Sequence, residues 1–170
     1  MPGMTPAELL IDAFSRVRDG AHRLLGDLEG EALTHRPTPD ANTIAWLVWH
    51  LARVQDDHVA DVAGTEQVWT AQGFATRFGL PFDESAIGFG HTSAEVAEVR
   101  TDADLLREYL DAVTDATVAY VIRIDADELD RVVDERWDPP VTLGVRLVSV
   151  VNDDLQHLGQ AAYVKGLLGR

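Results

Sequence analysis

Val150-Val151-Asn152-Asp153-Asp154-Leu155-Gln156-His157-Leu158-Gly159-Gln160 is the stretch that decides how the chain is read. It continues residues 142–149 without a breaker and runs on through residues 161–168, which predicts one long helix. Leu147, Val148, Val151, Leu155, Leu158 and Ala162 read as the stripe of a buried helix face. Asp153 and His157 are four apart, so one helix face carries both, along with Val150, Ala161 and Val164. A carboxylate and an imidazole on an apolar strip need partners, and a metal ion is one that both can share. Asp154, three residues before His157, competes with Asp153 for that role, and spacing alone does not choose between them.

A third ligand stands upstream. Asn42-Thr43-Ile44-Ala45-Trp46-Leu47-Val48-Trp49-His50-Leu51-Ala52-Arg53-Val54 is another apolar-rich helical run, with His50 set among Trp46, Leu47 and Val54. Two helices that each offer inward polar residues suit a site in the core of a bundle. Two imidazoles and one carboxylate with an open position suit a catalytic metal, zinc or nickel before magnesium. The plainer alternative is that His50 and His157 are satisfied core histidines and Asp153 a paired acid. Asp57, Asp154 and Gln160 are the candidates to accept hydrogen bonds from the imidazoles.

The chain has no cysteine, so disulfides and thiolate–metal sites are excluded, and any catalytic thiol must arrive with a substrate or cosubstrate. Its 170 residues predict a single domain, residues 1–170. Acidic residues outnumber basic ones 29 to 14, a net charge of -15 that repels nucleic-acid phosphates and anionic membranes. No apolar run is long enough to span a bilayer, and residues 1–8 lack the basic and apolar regions of a leader. The expectation is a cytoplasmic protein with a small-molecule substrate.

Four apolar-periodic segments predict an all-α bundle with helices at about 5–29, 42–62, 101–123 and 142–168. Thr5 and Thr101 read as N-caps, with Pro6 in the first turn of the first helix and Gly64 as the stop of the second. Gly20 weakens the first helix slightly. His22 and His35 read as surface residues and His58 as a polar residue at a helix edge. Asp57 shares the face of His50 but lies roughly 10 Å along the axis, too far to share an ion. Periodicity fails between residues 65 and 100, where Trp69, Phe74, Phe78, Phe82 and Phe89 are scattered among glycines. So long an aromatic connection covers the mouth of the metal pocket or straps one end of the core, and both readings stay open. Gly88-Phe89-Gly90 is not a nucleotide fingerprint, because the third glycine and a preceding strand are missing. One helical turn is expected at residues 127–129, and no strand is expected anywhere.

Residues 43–53, with Trp46 and His50-Leu51, and the closing segment from Asp153 to Gln160 resemble the DinB-like superfamily. Within it they are similar to a branch allied to mycothiol-dependent maleylpyruvate isomerase. The resemblance implies a four-helix bundle with a long crossover. It also implies a divalent ion held by one histidine of the second long helix and a pair four apart on the last. His50 matches the first position and His157 the last, while Asp153 replaces the histidine that often opens the pair. The isomerase branch has a carboxylate there too, though a glutamate. The implied chemistry is activation of a mycothiol-like thiol for S-transfer or isomerisation. The alternatives are a metal-dependent hydrolase and a non-catalytic, metal-stabilised binding or stress-response module. The habit of the family, with apolar Val118, Val121 and Ile122, predicts a homodimer.

Overall fold

The computed structural model describes residues 3–26 and 28–169. Readings that touch Met1, Pro2, Asp27 and Arg170 lie outside the described residues. In chain order the helices are α1 (Pro6–Leu25), α2 (Glu31–Thr34), α3 (Ile44–Ala63), α4 (Val68–Ala71), α5 (Phe74–Phe78) and α6 (Ser93–Glu98). Next come α7 (Ala103–Val121), a 3-10 turn at Glu128–Asp130, the strands β1 (Val132–Asp134) and β2 (Val141–Thr142), and α8 (Leu143–Leu167). The protein is mainly helical, with the four long helices α1, α3, α7 and α8 where periodicity puts them.

Local chemistry fixes their ends. Thr5 and Glu8 form a capping box with Pro6 at the first position of α1, and Gly26 ends that helix short of residue 29. Thr43 caps α3 by accepting from the Trp46 N–H, and Gly64 closes it at φ 68°. Asp102 caps α7 rather than Thr101, because its carboxylate takes the Leu105 N–H. The Thr142 side chain caps α8.

Side-chain pairs give the directions. His22 meets Asp111 and the Gly26 carbonyl takes Arg107, so α1 and α7 run antiparallel. Gln55 meets Thr117 and the Val62 carbonyl takes Tyr120, so α3 and α7 run parallel. Lys165 near the end of α8 donates to the Leu24 carbonyl near the end of α1, so these two run parallel, while Arg146 at the start of α8 meets His58 late in α3, so that pair runs antiparallel. The order is up-down-down-up. Two parallel neighbours need a return path, and twenty residues of α3 span roughly 30 Å. The segment from residue 65 to 102 is that path.

Two expectations need correction. The buried face of α8 carries Leu143, Leu147, Val150, Asp154, Ala161 and Val164, whereas Val148 and Leu155 are exposed and Val151 and Leu158 only partly covered. The outer face of α8 also carries apolar residues, Val145, Val148 and Leu155 among them, so apolar spacing could not separate the two sides. An antiparallel hairpin of β1 and β2 also exists, with Val132 opposite Thr142. Strands of three and two residues are too short to show an alternating pattern. Gly20 has a packing reason: a Cβ there would lie 2.7 Å from Leu158 Cδ2, so it lets α1 and α8 approach closely.

Candidate metal centre

His50 sits near mid-length of α3, 5% exposed, with the Trp46 ring stacked on it one turn earlier at 4.5 Å and 15°. Its Nδ1 meets the Ile87 carbonyl at 2.5 Å. A carbonyl oxygen only accepts, so Nδ1 carries the hydrogen and Nε2 keeps its lone pair. From α8, the His157 ring approaches edge-on at 4.7 Å between centroids. Its Nδ1 faces Gln160 Oε1 at 3.3 Å and its Nε2 faces Asp153 Oδ1 at 3.5 Å. Asp153 Oδ2 is buried without a hydrogen-bond partner.

One ligand atom from each of His50, Asp153 and His157 lies within 4.8 Å of the others. Among the described residues no fourth His, Asp or Glu joins them. In neutral rings these are lone pairs and a carboxylate facing one another, an arrangement that repels unless a cation or a proton lies between. This donor set fits a divalent metal of the borderline class. Without a cation, a proton takes that place between His157 and Asp153. Burial lowers the pKa of His50 below the usual histidine value, and the charge of His157 adds to that, against the Ile87 bond. Hydrogen bonding to Asp153 raises that of His157, which its burial opposes. Burial pulls the Asp153 carboxyl up, but its bond to His157 and the nearby histidines outweigh that and hold it low.

Asp154 does not join the cluster. It is 0% exposed, on the side of α8 that faces the core, and neither carboxyl oxygen has a partner. Burial, then the charge of Asp153, pushes its pKa well above the carboxylate range. Asp57 is engaged by Gln67 Nε2 at 2.8 Å. Of the three expected acceptors only Gln160 meets an imidazole. The acceptor for His50 is instead the main chain of the crossover, which composition does not reveal. Gly88 is the trace it leaves: at φ 94°, its Cβ would stand 2.7 Å from His50 Nδ1 and 3.0 Å from Trp49. His91, also unanticipated, accepts from Trp46 Nε1 at 3.2 Å. The crossover therefore lies over the site, and it straps the core as well. Arg53, one turn after His50 and fully buried, donates to the Ala86 and Glu84 carbonyls and to Gln67. Asp56 takes the Val68 and Trp69 N–H groups.

His58 is not simply a polar residue at a helix edge. Its Nδ1 meets Arg146 Nη1 at 3.0 Å, and it shares a pocket with Asp153. His22 matches its surface reading, half-exposed beside Asp111 at 2.7 Å.

Residues 9–169 match the family model for mycothiol-S-transferase. The fold is similar to the crystal structure of a conserved protein from Enterococcus faecalis, with 30% identity and a TM-score of 0.91, over 99% of this chain and 100% of that one. No curated protein matches the sequence. No helix among the described residues is long and apolar enough to cross a membrane.

Proposed function

The chain belongs to the mycothiol-S-transferase family, and on that footing we propose that it is a divalent-metal-dependent enzyme that activates a mycothiol-like thiol for S-transfer to a small electrophile. One observation carries the reading: three donors converge within 4.8 Å, and no fourth His, Asp or Glu among the described residues joins the set. A structural metal site is normally filled by four protein ligands, whereas a catalytic one keeps a position for water or substrate.

His50, Asp153 and His157 would hold the ion, zinc or nickel by their softness. When bound, it supplies the Lewis acidity that lowers the pKa of a thiol and favours the thiolate at neutral pH. The chain's own residues prepare that chemistry. Ile87 fixes the tautomer of His50, Gln160 orients His157, and Trp46 with Gly88 locks the His50 ring between a flat face and the crossover. The chain has no cysteine, so no internal thiol competes with an incoming one.

The test is metal analysis of the purified protein, then titration of its cobalt-loaded form with mycothiol. A sulfur-to-cobalt charge-transfer band is expected. Cobalt-loaded protein that shows no such band at saturating mycothiol would overturn thiol activation at this centre.

A further inference from the structure

Beside the triad lies a cavity of about 390 Å³, and Asp153 lines it. Its other walls come from α3, the hairpin and α8: His58, Asp134, Arg136, Trp137 and Arg146. Asp134 is 7% exposed and holds both arginines, Arg136 at 2.9 and 2.8 Å and Arg146 at 3.2 Å. Arg146 also donates to His58 Nδ1 at 3.0 Å. A guanidinium cannot accept, so Nδ1 is the acceptor and the neutral His58 ring carries its hydrogen on Nε2.

The charge count is uneven. Arg136 and Arg146 share the carboxylate of Asp134, and the second carboxylate in the lining, Asp153, is matched from outside it by His157, whose Nε2 stands 3.5 Å away. Asp61, which also attracts Arg136, is not in the lining. One positive charge is left over in a protein whose net charge is -15. Trp137 is 64% exposed and presents a flat apolar face in the same cavity. A planar fork of N–H donors, one surplus charge and an aromatic wall match a planar carboxylate carried on a short carbon chain.

We infer that this cavity is a subsite for the carboxylate of the electrophilic substrate, held by Arg146 and Arg136 beside the metal triad. The word substrate rests on the S-transferase reading; carboxylate binding itself does not.

Succinate and its uncharged diamide are the probes, titrated against the full-length protein both metal-free and zinc-loaded, with the Trp137 indole N–H followed by NMR. Succinate should bind in both forms and the diamide in neither. Arg146→Met should weaken succinate by roughly ten-fold or more, the loss expected for a charged hydrogen bond. Should that variant fail to fold, Arg136→Gln carries the test, because the Arg136 side chain is 85% exposed. Succinate binding that needs zinc and ignores both substitutions would place the carboxylate on the metal and overturn the subsite. Absence of binding in both forms, or inorganic phosphate binding as tightly as succinate, would overturn it too. Arginine-dependent binding in a protein that takes up no zinc would uphold the subsite while the metal reading fails.

Discussion

His157 and Asp154 are three residues apart on α8, yet helix rotation gives them opposite roles. His157 faces α3 and its Nε2 stands 3.5 Å from Asp153 Oδ1. His157→Ala should abolish metal uptake while circular dichroism stays that of the folded bundle, since four long helices carry the core without that ring. Unchanged metal content in the variant would return both histidines to ordinary core residues. Asp154 is the buried acid whose folded pKa lies well above its unfolded value. Such a group binds its proton more tightly when folded, so its contribution is fully present below the unfolded carboxyl pKa. It is lost as pH rises toward the folded pKa, at about 1.4 kcal/mol per pH unit. Asp154→Asn should therefore be more stable than the parent at pH 8, with a smaller gap at pH 5. Urea midpoints that differ equally at both pH values would rule out a neutral Asp154. The spacing of Asp153 and His157 was legible because the helix period alone puts them together. That Asp153 rather than Asp154 faces His50 was not, since it depends on which side of α8 meets α3.

At the scale of elements, the four long helices are readable because caps and breakers mark their ends, and Thr5, Thr43, Gly64 and Thr142 all occupy such positions. The hairpin is not, because strands of three and two residues show no alternation, and neither is the path of the crossover, whose partners are distant in sequence. Ile87 reaches His50 through a main-chain carbonyl, which every residue possesses. Only the glycine after it leaves a mark. Gly88→Ala combines a positive φ with a contact of 2.7 Å to a buried imidazole, so the loop or the ring must move. Strain of this kind costs about 1–3 kcal/mol. Thermal unfolding should show that loss, and a zinc competition titration should show weaker binding than the parent. If stability fell but zinc affinity did not, the crossover would be a strap alone, with no part in placing His50.

At the scale of the whole molecule, the direction of the chain and the charge of its surface belong together. An up-down-down-up order leaves α8 with one side on α1 and α3 and the other open to solvent. On that open side stand Val145, Val148, Ser149, Asn152, Leu155, Gln156, Gly159, Gln160, Ala162 and Tyr163, none of them charged. Val148 is 61% exposed and Tyr163 70%. A chain with 29 acidic residues has carboxylates to spare for every exposed helix, so an uncharged face is a feature in need of a cause. Pairing with a second copy supplies one, because an isologous contact places each residue near its own symmetry mate and like charges there would repel. This is firmer ground for the expected homodimer than the residues that first suggested it: Val121 is fully buried in the core and Val118 partly so, leaving only Ile122 exposed. Sedimentation should find a dimer at micromolar concentration. Leu155→Glu, which sets a charge in the middle of the face without touching the core, should shift it to monomer while leaving metal uptake at the inward triad intact. A parent protein that sediments as a monomer would end the dimer prediction. A dimer indifferent to Leu155→Glu would move the contact off α8, and the uncharged face would then require a different partner.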